Sequence, residues 1–336
     1  MDRRQHPLPA TLGNVFTAGA ARAAGVDSRR LHGDDVVRIA PGTYARVDGG
    51  IAGYPPGQDS GRQPHPHERW RQSIALRATK LREVMKPHAF FSHHTAAVLW
   101  RLPVAPPLGD AQLRVDVASC EGKRSHELCG VKYRTLSPRQ VRVVVLRGIP
   151  VVDPATTWAQ LSPGLPRSDA VALGDAVLRH PRYPGTSRYK RDALATLPQL
   201  EQAATTPYRR GGHSLRETLP ALTHQSASPP ESHIRVLLEA WGAPRPMLDY
   251  DVYSPDGRLL GCSEFAYPHL RLAIEYEGEH HFSLANQFVR DVEKYQAYAE
   301  HGWRVLRVTS SLLYRQPLEL KRQLFAALSQ RREVSS

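Results

Sequence analysis

Residues 258–278 read RLLGCSEFAYPHLRLAIEYEG. Two strand-like runs, Arg258 to Tyr267 and Arg271 to Glu277, flank the corner Pro268-His269-Leu270, which predicts a β-hairpin. Side chains alternate across a strand, so Glu275 and Glu277 share one face while Ile274 and Tyr276 share the other. If Tyr267 pairs with Leu272, Glu264 falls opposite Glu275, and three carboxylates meet on one patch. Like charges this close cost folding energy unless a cation neutralises them, and hard carboxylate oxygens suit Mg²⁺ or Mn²⁺. Beyond Gly278 stand Glu279, His280 and His281; a histidine here, with its near-neutral pKa, is suited to moving the proton of an attacking water or of the leaving oxygen.

Working outward, Ser228-Pro229-Pro230-Glu231 carries a cap residue, a Pro at the first helical position and a Glu at the third, the pattern of a capping box. The helix that it opens runs to Trp241 and closes at Gly242, with Ile234, Leu237 and Leu238 on one face. Glu231, taken singly, reads as its N-terminal cap. A second helix is expected over Leu284–His301. It presents Arg290 and the pair Asp291 and Lys294, which at this spacing also reads as a solvated ion pair. Trp303 to Thr309 predicts another strand. Helix, strand, strand, helix, strand, helix implies a mixed sheet covered by helices, an α/β fold. Arg258, Arg271, Arg290, Lys294 and Arg304 are then cations available to steer a nucleic-acid backbone.

The chain divides by composition into three expected parts: 1–50, an α+β stretch over 67–225, and 226–331. The middle part mixes strand-like runs (Leu113 to Ala118, Val141 to Leu146) with helical ones (Ser92 to Leu102, Pro154 to Leu161, Ser168 to Leu178). In the first, an Ala-rich helix capped by Thr17 and stopped at Gly25 is followed by a second, capped by Asp27 or Ser28 and running to about Gly33. Val36 to Ile39 and Thr43 to Val47, flanking Pro41-Gly42, predict a hairpin. This is a helix-turn-helix with a wing. Arg29 and Arg30 on the second helix and Arg46 on the wing are the candidate DNA contacts.

The balance of 45 Lys+Arg against 32 Asp+Glu gives a formal charge of +13, which favours a polyanionic partner. Three cysteines, Cys120, Cys129 and Cys262, are too few for a disulfide framework, and no fourth ligand completes a zinc site around Cys120, His126 and Cys129. The N-terminus lacks the apolar core of a secretory signal, and no apolar run reaches the roughly 20 residues of a membrane span. The expectation is a cytoplasmic protein with no membrane contact.

The acidic hairpin, together with the helices and the strand around it, carries a resemblance. Residues 228–328 resemble the very-short-patch-repair-like branch of the PD-(D/E)XK nuclease superfamily, through Glu275-Tyr276-Glu277-Gly278-Glu279-His280-His281 and Gly302-Trp303-Arg304-Val305-Leu306-Arg307. The resemblance implies a restriction-endonuclease-like domain, a Mg²⁺-dependent DNA endonuclease in which Glu264 and Glu275 hold the metal, Glu277 assists, His281 transfers a proton and Glu231 completes the site. Glu264 and Glu277 stand where the family usually has Asp. Phe16 to Tyr44, with Gly25-Val26-Asp27 and Pro41-Gly42-Thr43-Tyr44, and the segments Ser92 to Trp100 and Asp153 to Trp158, resemble AbiEi-type antitoxins of abortive-infection systems. That implies a winged-helix module that binds DNA to repress transcription, and a cognate toxin as partner. Two functions therefore stand open: a phosphodiester hydrolase acting on DNA, and a non-catalytic DNA-binding regulator of the antitoxin type with an inert nuclease domain.

Overall fold

The computed structural model describes residues 7–40, 42–46, 65–109, 114–121, 130–278 and 285–335. The chain is mixed α/β and divides into two compact units, Met1–Leu161 with Ala203–Arg210, and Ser162–Gln202 with Gly211–Ser336. No described helix is long and apolar enough to cross a membrane.

The first unit opens with β1 (Val15–Thr17), α1 (Ala18–Ala23), a 3-10 turn (Ser28–His32), β2 (Val36–Ala40) and β3 (Thr43–Arg46). Thr17 caps α1 as expected, its hydroxyl accepting from Ala20 N at 3.0 Å. The expected second helix is a five-residue 3-10 turn. Asp27 accepts from Arg29 N at 2.7 Å, and Arg30 bonds Asp35 through both guanidinium nitrogens at 2.7 and 2.5 Å, so its side chain ties the turn to the start of β2. The expected hairpin, β2 with β3, is part of a three-stranded sheet of order β1-β3-β2, because Val15–Thr17 adds a strand that the sequence pattern does not announce. Leu8, Leu12, Phe16, Ala21, Leu31 and Tyr44 form its small core.

The same unit continues through α2 (Pro66–Arg82), β4 (Phe90–Phe91), α3 (His93–Leu99), β5 (Val115–Ser119), β6 (Val131–Thr135), β7 (Val143–Leu146), β8 (Ile149–Val152) and α4 (Pro154–Leu161). The strands order as β6-β5-β4-β8-β7, around a core of Phe91, Val117, Val151 and Leu81.

The second unit holds α5 (Arg167–Leu178), α7 (Gly212–Thr218), α8 (Pro229–Ala240), β9 (Met247–Tyr253), β10 (Leu259–Tyr267), β11 (Leu272–Glu277), α9 (Ala285–Glu300), β12 (Arg304–Thr309), α10 (Ser310–Tyr314) and α11 (Pro317–Ser335); α6 (Leu197–Thr205) lies between α5 and α7 in the chain. Its sheet has the order β12-β11-β10-β9, with β9, β10 and β11 antiparallel and β12 parallel to β11 across the α9 crossover. One face buries Phe265, Tyr267, Leu272, Ile274, Leu306 and Val308 against α8 and α11. The other buries Ala273 and Val252 against Tyr298 of α9. Residues 162–202 precede the boundary expected at 226 yet pack with this unit, because Asp175 of α5 is a buried anchor for α8. It accepts from Ser232 Oγ at 2.6 Å and Arg235 at 2.5 Å, and from Thr223 N at 2.7 Å.

Candidate functional site

The hairpin pairs as its sequence predicts: Tyr267 faces Leu272, Ala266 faces Ala273 and Phe265 faces Ile274. The next backbone donor on β11, Tyr276 N–H, goes to the Glu264 carboxylate at 2.7 Å. On the other side of β10, the pairs Ser263–Tyr250 and Phe265–Leu248 leave Glu264 and Asp249 between them, and Asp249 is left-handed at φ +49°. Ser263 bonds Tyr298 of α9 at 3.0 Å, whereas Phe265, two residues on, lies in the core beneath α8. A regular strand would place both on one face, so β10 rolls over at Glu264. The roll turns Glu264 toward the Tyr276 N–H of β11 and brings it under the charge of Glu231 at the start of α8.

Glu231 and Glu275 act on Glu264 there through their charges. Glu264 is half-buried, and its carboxyl is held well above the usual range by desolvation first, then by repulsion from Glu231 and Glu275; the Tyr276 N–H and Lys294 oppose this. Glu275 is 5% exposed. Its pKa is raised by burial and pulled back by Lys294, whose ammonium stands 2.8 Å from Oε1. Glu231, raised by burial, is opposed by the Ala227 N–H, the Ser228 hydroxyl and Arg179. Its carboxylate accepts from Ala227 N at 2.7 Å and Ser228 Oγ at 2.8 Å. The expected capping box is thus altered: the Ser228 hydroxyl donates to Glu231 and makes no cap bond to the helix, and Glu231 reaches back one residue further than a box requires.

Glu277 is engaged elsewhere, in an ion pair with Arg307 of β12. The parallel register puts Arg307 beside Glu275 and Thr309 beside Glu277, so the guanidinium reaches Glu277 along the strand. Lys294, expected on a solvated helix face, is paired with Glu275, its Nζ 5.6 Å from the ring centres of Tyr295 and Tyr298. Gly261 of β10 makes room for it: a Cβ there would lie 3.0 Å from Lys294 Cγ and 3.2 Å from Tyr298 Oη. His281, with Glu279 and His280, lies outside the described residues. Among the described residues no three His, Cys, Asp or Glu side chains form a ready ligand shell. Glu264 and Glu275 nonetheless offer the hard carboxylate oxygens that a divalent cation takes, with Lys294 the ammonium that both sense.

Of the other candidate DNA contacts, Arg290 is exposed on α9 and Arg29 is exposed on the 3-10 turn. Arg46 is committed to the fold, its Nη2 donating to the carbonyls of Pro9, Leu12 and Leu8 at 2.6, 3.2 and 3.3 Å. Sequence reasoning missed Asp249 and Arg179 altogether. The only sign of Asp249 was the Asp249-Tyr250-Asp251 alternation, which matches Glu275-Tyr276-Glu277 in form.

No family model matches the chain, and no solved structure matches it. Two curated proteins of Mycobacterium tuberculosis are similar, uncharacterized protein MT2308 of strain CDC 1551 / Oshkosh and uncharacterized protein Rv2248 of strain ATCC 25618 / H37Rv. Each is 28% identical over 180 residues, a stretch that takes in 53% of this chain and 62% of the relative.

Proposed function

We propose that the chain acts on DNA and that its second unit is a restriction-endonuclease-like domain hydrolysing phosphodiester bonds. The observation that carries this reading is half-buried Glu264, repelled by the buried acids Glu231 and Glu275, with Lys294 paired to Glu275, at the point where β10 rolls. The order helix, three antiparallel strands, helix, parallel strand supports the fold assignment, and the +13 charge supports a polyanionic substrate. Glu264 and Glu275 would hold Mg²⁺ or Mn²⁺, which when bound supplies a water nucleophile at neutral pH and an electrophile for the phosphoryl oxygens. Lys294 holds the Glu275 carboxylate in place and offers its remaining N–H groups to an anionic oxygen arriving beside it. Glu231 raises the affinity for cations through its charge on Glu264. Incubation of plasmid with Mg²⁺ or Mn²⁺ tests this: the wild-type chain nicks or linearises it and Glu275→Gln does not. Equal cleavage by the two proteins refutes the assignment.

One observation favours a second reading, that of a DNA-binding regulator of the antitoxin type, with a toxin as its protein partner. Glu264 and Glu277 are both engaged in bonds within the fold, to Tyr276 N–H and Arg307. On that reading the winged-helix-like module before residue 50 reads an operator, and the chain shows no cleavage with either metal. Truncation before residue 70 then abolishes sequence-selective binding, which a gel-shift titration measures.

A further inference from the structure

Between α5 and α6 the chain reads His180-Pro181-Arg182-Tyr183-Pro184-Gly185-Thr186-Ser187-Arg188-Tyr189-Lys190-Arg191-Asp192. It folds back on itself as a small hairpin. Arg182 bridges Tyr189 in antiparallel fashion, Tyr183 N donates to Arg188 O at 2.9 Å, and Lys190 N donates to Pro181 O at 2.6 Å. Four cations stand against one carboxylate in this stretch, and Asp192 faces His180 at 3.5 Å. Arg188, Lys190 and Arg191 are exposed, and none takes part in an ion pair among the described residues. Tyr183 and Tyr189 are 49% and 50% exposed. Lys190 lies 5.4 Å over the Tyr183 ring, and Tyr189 stacks on His180 at 3.7 Å, so both rings are held in place.

The hairpin is fixed at both ends to the sheet of the same unit. At its root, Arg182 lies between two carboxylates of β9, bonding Asp251 at 2.5 Å and Asp249 at 3.0 Å. At its tip, Gly185 has φ +72°, a conformation that favours glycine, and a Cβ there would lie 2.9 Å from Leu259 Cδ2 of β10. An open cleft of about 470 Å³ beside β9 is lined by Arg182, Arg245, Tyr250 and Tyr253 together with Asp249 and Asp251. Asp249 is the residue that stands opposite Glu264 where β10 rolls, and its charge is felt by Glu231. The root of the hairpin is therefore joined by one side chain, Asp249, to the acids Glu231 and Glu264.

We infer that residues 181–191 form a nucleic-acid-binding arm, in which Arg188, Lys190 and Arg191 hold the phosphate backbone and Tyr183 and Tyr189 offer ring faces to sugars or bases, so that the strand is led along β9 toward Glu264 and Glu275. The inference rests on the reading of the chain as DNA-acting. Its physical basis is that clustered cations unpaired within the protein bind phosphates by counterion release, and that aromatic faces held among them suit nucleic acid better than an acidic protein surface. Arg182 is a positioning residue: its charge is already balanced by Asp249 and Asp251, and its role is to aim the arm.

The test measures binding of the full chain to a fluorescent 25-base-pair duplex without divalent metal, across a salt series. The triple variant Arg188→Ala/Lys190→Ala/Arg191→Ala is compared with a charge-matched control, Arg139→Ala/Arg142→Ala/Arg147→Ala, which removes exposed cations of the first unit. We expect the arm variant to bind at least about tenfold more weakly near 0.1 M salt, with a log–log salt slope smaller by about 2 to 3, since each phosphate contact contributes about 0.9. The control binds as the wild type does. A second variant, Gly185→Val, keeps every charge but lifts the tip off Leu259, and its salt slope falls in the same direction. Unchanged binding by the arm variant, equal loss in the control, or salt-insensitive binding by the wild-type chain each overturns the arm. Because no metal is present, the outcome is separate from cleavage: a wild-type chain that cuts nothing but loses binding with the arm refutes the nuclease reading and keeps the arm.

Discussion

Lys294 is the ammonium that Glu275 and Glu264 both sense, so its removal is the most direct way to ask whether these acids form one electrostatic unit. In Lys294→Met the stem is replaced at similar volume and the charge is lost. The Glu275 side chain is 6% exposed and that of Lys294 18%. Taking one partner from a buried pair costs about 3–5 kcal/mol, because the other charge is left uncompensated. Partial access of solvent to the ammonium puts the expected loss nearer 2–4 kcal/mol at pH 7.5. The sign with pH is specific. Burial already raises the folded pKa of Glu275 above its unfolded value, so its contribution is intact below the unfolded value and lost as pH rises. Without Lys294 that pKa rises further, and the gap between wild type and variant widens from pH 4 to pH 7.5. Amide exchange on β10 and β11 reads the local free energy without assuming that the two units unfold together. A loss equal at both pH values, or under about 0.5 kcal/mol at pH 7.5, shows that Lys294 merely packs against Tyr295 and Tyr298 and that the acids are not coupled.

Glu264→Gln keeps the bond from Tyr276 N–H and removes the charge repelled by Glu231 and Glu275. Since the folded pKa of Glu264 lies above its ordinary value, the wild type loses stability as pH rises past that ordinary value; the variant gives a flatter profile and melts higher at neutral pH, as thermal unfolding across pH 4 to 8 will show. Arg46→Ala, by unlatching the carbonyls of Leu8, Pro9 and Leu12, costs about 2–3 kcal/mol from the charge-assisted bonds alone. Amide exchange in β1 and β3 rises with it, whereas Arg29→Ala on the exposed turn leaves exchange unchanged.

The hairpin at the centre of this fold was legible because its signals are local. Apolar residues alternate along β11, Pro268 marks the corner, and together they determine the register to the residue. β9 was not legible for the opposite reason. Met247 to Tyr253 carries two aspartates and fully buries only Val252, so its strand propensity is poor and its apolar face thin. What stabilises it is Arg182, placed 67 and 69 residues earlier in the chain from its partners Asp249 and Asp251. The same holds for the boundary of the second unit, where α5 joins α8 through Asp175 and Arg235, 60 residues apart. Charge pairs at such separations leave no periodic trace in a sequence.

The carboxylate group shows where alternation stops being a guide. Strict alternation assigns Glu264, Glu275 and Glu277 to one patch, and Glu231, taken singly, reads as a cap. The structure retains the first two, and Glu231 takes the place of Glu277. The exchange follows from the roll of β10 at Glu264: turned out of the pleat, this side chain takes the N–H of Tyr276 and comes under the charge of Glu231 at the start of α8, while Glu277, two residues beyond Glu275, is drawn to Arg307 on the parallel strand. The extra methylene of glutamate has a physical use here. An aspartate at 264 would fall about one bond length short of the Tyr276 N–H, and the donor freed by the end of the β10–β11 ladder would then need another acceptor. The longer acid at this position therefore both closes the ladder and carries its charge toward the buried carboxylates of Glu231 and Glu275.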